Sequence, residues 1–348
     1  MKKVLLLVVA FVLVLAGCGS SGKEKDNASS PSPSAGGSAA PQSDKKVVLV
    51  LPEKIGVNPF FQLMDEGVKK AGKEFNVKTK TIESTDPNAF EQNLRAAIAD
   101  KYDLIITATF QAEDALKKLA AENPKQAFTI IDTVVDLPNV RSVSFREYES
   151  SYLLGALAGL STKKNTVGMV AAADIPLIKK WTVPFEQGLK ATNPNAKFLL
   201  NYVGGFTDPV KAKELALLQF GQGADFIIGA SAAGDFGVFE AAKEKNFFTS
   251  GQDMDHTSKD PDHIVMSQIK STDVAAYETI KEFVKGTYKP GAIDYGLKEK
   301  GVGLPFVTHE TATKLNPFIS QETINKVKEL NDQIVSGKLV LQNPLAQK

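Results

Sequence analysis

The chain has 348 residues, 43% of them apolar and 23% charged, with 41 Lys and Arg against 40 Asp and Glu. Length and apolar content predict two domains or one large one around a real core, and exclude a wholly disordered chain. The balanced charge excludes the basic field of a general nucleic-acid binder, and one Cys with three His excludes a disulfide scaffold and a His/Cys-rich zinc site.

At the N-terminus, Lys2 and Lys3 precede Val4–Ala16, an apolar run of thirteen residues that is too short to span a bilayer. With the small residues that follow, residues 1–17 read as a secretory signal peptide. Leu15-Ala16-Gly17-Cys18 resembles the bacterial lipobox, which implies that Cys18, the only cysteine, becomes the first residue and carries a diacylglycerol. Of the twenty-six residues Gly19–Asp44, fifteen are Gly, Ser or Pro, and no apolar periodicity offsets the entropy of ordering them. Residues 18–44 are therefore expected to be a lipidated cysteine and a tether, about 30 Å across as a flexible coil.

From Lys46 onward short β-branched or aromatic runs alternate with helical stretches. The strand-like runs are Val47–Leu51, Leu104–Ala108, Phe128–Asp132, Val140–Phe145, Val167–Val170, Phe198–Val203, Phe226–Gly229, Phe247–Gln252 and Ile264–Ile269. Between them apolar residues recur three and four apart, as in Met64, Val68 and Ala71, or Ala212, Leu215 and Ala216. This alternation predicts an α/β fold of parallel sheets covered on both faces. The strands are too many for one comfortable sheet and fall into two runs, Lys46–Phe145 and Thr166–Gly251, so two doubly wound lobes are favoured over a (β/α)₈ barrel. Ligands of open α/β sheets bind beyond the carboxyl ends of the strands, which directs attention to the residues just after each run.

No catalytic set stands out there. Ser231 and Ser267 lack a nucleophile context, and His256 and His263, on a turn rich in Asp and Pro, read as solvated loop residues. Gly229-x-x-x-x-Gly234 has the spacing of a phosphate loop, but Asp235 stands where a Lys is needed. The chain is not expected to be an enzyme or to hold a cofactor or metal. Binding groups are more prominent. Two glycines hold Phe206 at a loop tip before Asp208-Pro209 opens a helix as N-cap and N1. Phe60 and Phe61 offer the same arrangement on the first lobe, one ring for the core and one for the cleft. Asp132 and Asp253 each end a strand-like run, where a buried carboxylate needs a donor that a ligand hydroxyl could supply.

The run Ser144-Phe145-Arg146-Glu147-Tyr148 through Leu154-Gly155-Ala156-Leu157-Ala158 resembles the basic membrane protein family of bacterial lipoproteins. The likeness continues through Thr166–Ala171, Phe185–Lys190, Tyr202–Pro209, Gly223–Phe226, Gly251–His256, Ser267–Lys270 and Gly296–Leu304. The resemblance implies the periplasmic-binding-protein type I fold, with two lobes joined by three crossovers. An N-terminal lobe is then formed by 45–145 plus about 270–290, and a C-terminal lobe by 146–269 plus about 291–348. It also implies a monomeric receptor, lipid-anchored on the outer face of the cell membrane, that delivers a purine nucleoside to the permease of an ABC importer. Carried over by position, Phe206 stacks on the base from the second lobe and Phe60 from the first. Asp132, Asp253 and Lys270 contact the ligand, with Asp253 on ribose hydroxyls and kept ionised by Lys270. The chain departs from the family at Ile55–Gln62, where Phe61 stands in place of the usual Asn and Glu53 is the nearest acid to the end of the first strand. A sugar receptor of the same fold and a regulatory lipoprotein without a transport role are the alternatives.

Overall fold

The computed structural model describes residues 44–346; the expected signal peptide, the lipidation site Cys18 and the tether as far as Ser43 lie outside the described residues. Among the described residues twelve strands and nine α-helices alternate. The chain runs through β1 (Lys46–Leu51), α1 (Pro59–Glu74), β2 (Lys78–Glu83), α2 (Pro87–Ala99), β3 (Leu104–Ala108), α3 (Glu113–Glu122), β4 (Ala127–Ile131) and β5 (Val140–Phe145). It continues through α4 (Glu147–Ser161), β6 (Thr166–Ala171), α5 (Pro176–Thr192), β7 (Lys197–Tyr202), α6 (Pro209–Gly221), β8 (Phe226–Ala230), α7 (Asp235–Lys245), β9 (Phe248–Asp253) and β10 (Ile264–Lys270). It ends with α8 (Thr272–Lys285), β11 (Gly291–Tyr295), β12 (Val302–Gly303) and α9 (Gln321–Val335).

These strands form two six-stranded sheets, in the orders β11-β5-β4-β3-β1-β2 and β12-β10-β9-β8-β6-β7. All pairs are parallel except β12, which runs antiparallel to β10. The orders superimpose, with β1 to β5 matched by β6 to β10 and β11 by β12. This is the expected pair of doubly wound lobes. The chain passes between them three times, after Phe145, after Lys270 and between Tyr295 and Val302. The third passage lies later than the sequence implies: residues 291–295 pair with Arg141–Phe145 in the first sheet rather than opening the second lobe.

Central strands such as β1, β3 and β8 are buried along almost their whole length, which is why they read as continuous apolar runs. Matching side-chain caps set the helices at equivalent places. The Asp86 carboxylate accepts from the Asn88 and Ala89 amides ahead of α2, and that of Asp208 from the Lys211 amide ahead of α6, each with Pro at N1. The first turn of α1 is set by Asn58, which accepts from the Phe60 amide at 3.1 Å. Helices α4 and α5 press together through glycines: a Cβ on Gly155 would lie 2.0 Å from the Phe185 carbonyl oxygen, and one on Gly188 2.0 Å from that of Tyr152. This close approach brings the start of α4 beside the first turns of α5.

Candidate functional site

Between the lobes a cleft encloses about 580 Å³ of space, part of it open to solvent. All six residues expected to meet a ligand, Phe60, Phe61, Asp132, Phe206, Asp253 and Lys270, line it. Phe60 and Phe61 meet edge to face at 5.2 Å. Phe61, 1% exposed, is the core ring of the two, and Phe60 presents the cleft face. Across from them Phe206 projects from the loop after β7, and Trp181 stands in the second turn of α5.

Asp132 and Asp253 occupy equivalent ends of β4 and β9, with φ of 72° and 68°. Two more cleft residues without the freedom of glycine, Thr109 and Ala232, also have positive φ, at 70° and 53°. Such backbone is sparsely populated, and four instances around one cavity mark a site the surrounding fold holds in shape.

The polar floor is a compact ion cluster. The Lys270 ammonium lies 2.6 Å from Asp132 Oδ1 and 2.8 Å from Glu147 Oε1, and the second Glu147 oxygen lies 2.5 Å from Lys180 Nζ. Rings surround Lys270: its Nζ is 5.2 Å from the centroids of both Phe60 and Phe145 and 5.9 Å from that of Trp181. Burial opposes charge on Glu147, but Lys180 and Lys270 outweigh it and hold its carboxyl down to about 2. Burial likewise works against the Lys270 ammonium, and the attraction of Asp132, Glu147 and Asp253 raises its pKa nonetheless. Asp132 is pushed upward by burial and by Glu147, against the pull of Lys270 and Lys180.

Asp253 differs from its expected state. Burial, with repulsion from Asp132 and Glu147, outweighs Lys270 and pushes its carboxyl up to about 7. Two ammonium groups are already matched by Asp132 and Glu147, so Asp253 is the surplus acid. Its carboxylate accepts no hydrogen bond from the described residues, and neither does that of Glu53, which lies beyond β1 on the opposite wall with its pKa raised by burial. Two acceptors therefore face the cleft with capacity to spare.

His256 is not solvated. It is 2% exposed, packs against Phe239 at 5.3 Å and Phe236 at 6.1 Å, and burial lowers its pKa to about 4. His263 meets the Asp260 carboxylate at 2.9 Å. Asp235, in the glycine loop, accepts from the Ser231 amide at 2.7 Å and hydroxyl at 2.9 Å, and burial pushes it up to about 8. It is a loop staple, as its failure to match a phosphate loop implies.

Sequence reasoning missed Leu177, Ile178 and Trp181 on α5, and with them Lys180 and Glu147. The available signal was positional: Pro176 opens α5 as Pro59 opens α1, so the next residues face the cleft as Phe60 and Phe61 do.

The same sequence pattern and architecture recur in known proteins. The model of a family described as ABC transporter substrate-binding protein, PnrA-like, matches residues 44–343. The ABC transporter nucleoside-binding protein of Lactococcus lactis is 28% identical over 95% of this chain and 95% of its own length. An uncharacterized lipoprotein of Pyrococcus horikoshii is 31% identical over 81% of this chain and 76% of its own. A crystal structure of ABC transporter solute-binding proteins from Aeropyrum pernix matches with a TM-score of 0.77 at 27% identity, covering 87% of this chain and 94% of that one.

Proposed function

Because the chain belongs to the Bmp family of PnrA-like ABC transporter substrate-binding proteins, we propose that it captures a nucleoside, with a purine base, between its lobes and delivers it to an importer permease. In this reading it works as a monomer, without catalysis, anchored outside the cell membrane through acylated Cys18. The observation that carries the reading is the composition of the cleft. Phe206 and Phe60 come from opposite lobes, and beside them stand Asp253 and Glu53, acceptors that no protein donor occupies. A nucleoside brings a flat ring for the aromatic faces and ribose hydroxyls for the carboxylates. The name of the Lactococcus lactis relative supports the same choice.

On closure, ligand hydroxyls that donate to Asp253 favour its ionised form, while Asp132 retains Oδ2 for the ligand with Oδ1 on Lys270. A thermal-shift screen with nucleosides, sugars and amino acids tests the reading, since ligand at a hundred times its Kd stabilises by about 2.7 kcal/mol. Nucleosides alone should shift the melting temperature. A shift with sugars and none with nucleosides overturns the assignment in favour of a sugar receptor. Membrane fractionation of Cys18→Ala should find unprocessed or soluble protein, and full processing with lipid label would refute the anchor.

A further inference from the structure

Glu147 lines neither the cleft nor the surface, being 0% exposed, yet each of its oxygens faces an ammonium. Its place is fixed from several sides. It is the first residue of α4, two positions past the first passage between lobes, where the helix N-terminus favours an acid. The Gln268 side-chain amide donates to its carbonyl at 3.1 Å and to Ser150 Oγ at 3.0 Å. Lys270, the last residue of β10, stands at the second passage. The Glu147–Lys270 contact thus ties two of the three connecting strands. Lys180, on α5 of the second lobe, completes the frame and also donates to the Phe145 carbonyl at 3.3 Å.

Asp132 is the cluster's one member from the first lobe. A rigid separation of the lobes draws it away from Lys270, whereas Glu147 and Lys180 stay with the second sheet. Without Glu147 the buried cations would outnumber the one remaining partner, and the long Lys270 side chain would be free to leave its collar of rings.

We propose that Glu147 is a positioning residue for ligand capture: it holds the Lys270 ammonium at the hinge in the open protein, so that Asp132 and the ligand meet a preplaced cation as the lobes close. This rests on the nucleoside reading of the cleft for its ligand, not for its geometry. The frame explains why two buried lysines and one fully buried glutamate lie behind a site that takes an uncharged molecule.

Glu147→Gln alone strands the Lys180 charge and can fail to fold, so the informative comparison is Lys180→Met against Glu147→Gln/Lys180→Met. The first keeps the Glu147–Lys270 contact. The second keeps charge balance through Lys270 and Asp132 but removes the tether. Association of adenosine, followed in stopped flow through Trp181, the chain's only tryptophan, should be at least tenfold slower in the double variant than in Lys180→Met. Equal rates overturn the proposal. A ligand-free readout uses ¹⁵N-lysine labelling: a slowly exchanging Lys270 ammonium resonance should be present in the parent and Lys180→Met and lost in the double variant, and its survival there also overturns it. Should the parent bind neither adenosine nor inosine, the nucleoside reading fails, and the ammonium resonance still decides whether Glu147 holds Lys270.

Discussion

Asp132 and Asp253 are the same position in two copies of one architecture. Each stands at the end of the strand third from one edge of its sheet, each has φ near 70°, and burial pushes each carboxyl upward. Their partners differ. Asp132 sits 2.6 Å from an ammonium, and Asp253 has no such contact. The cause lies one strand over, where β5 ends in Phe145 and its match β10 ends in Lys270. Two positions further, Thr272 matches Glu147: its hydroxyl donates to the Phe60 carbonyl at 2.9 Å, where Glu147 binds Lys180 and Lys270. The repeated backbone fixes where side chains stand, while a few substitutions decide which lobe carries charge and which acid is left for a ligand.

The largest test of this contrast is stability. Glu147→Ala should cost about 3–5 kcal/mol by leaving buried ammonium groups without a partner. Thr272→Ala, at the matching place, should cost about 1 kcal/mol for one buried hydrogen bond. Urea unfolding of both variants checks this, and equal losses would show that the two hinge ends are energetically alike.

A second contrast is between the acids themselves. Ribonucleosides should bind more tightly than 2′-deoxy analogues by about 1.5–3 kcal/mol, tenfold to 150-fold, because the analogue leaves Asp253 short of a donor. Asp253→Ala should nearly abolish that preference in calorimetric titrations. If it persists, Asp253 does not read the sugar. The rings should contribute in a similar range: Phe206→Ala should weaken binding by roughly 1–3 kcal/mol and leave the ligand-free melting temperature almost unchanged. A collapse of that temperature would assign Phe206 to the core.

The smallest effect is a pH dependence. Asp253 faces Asp132, Glu147 and Lys270 across the cleft floor and lies near Asp235, and its carboxyl sits at about 7. Ligand hydroxyls favour the ionised form, so affinity should rise with pH between 5.5 and 8 and flatten above. The full range is at most about thirtyfold for a group of that pKa. Asp253→Asn should remove the slope. In the empty protein the sign is opposite. A carboxyl raised from 3.8 to about 7 contributes stability that is fully present below about pH 4 and is lost as pH rises through 7, and Asp235 acts the same way.

The central strands were legible because both faces of each are covered, which turns burial into an unbroken apolar run. Edge strands need carry no such mark, although β7 does in Phe198–Leu200. β2, Lys78–Glu83, is alternating Lys and Thr with a half-exposed pattern, and β11 holds Gly and Asp. Both went unread. The cleft was legible where it depends on strand ends, since the rule that ligands bind there needs only the strands. Trp181, Lys180 and Glu147 depend on how α4 and α5 lean together, and a Glu or Lys on a helix reads as solvated until that packing is known. His256 was misread for the same reason: the connection after β9 folds its ring under Phe236 and Phe239.

The late return of β11 bears on the order in which the lobes can be completed. Arg141 of β5 pairs with Gly291, a separation of 291 − 141 = 150 positions. During synthesis the lobe begun first must wait, with the outer edge of β5 unpaired, until the five longer strands of the second sheet have been made. Closing so long a loop is entropically slow, and an unpaired parallel edge invites wrong partners meanwhile. A fragment ending near residue 145 therefore makes a poor stand-alone lobe, whereas one that rejoins 272–295 through a short linker supplies the missing edge and the helix that covers it.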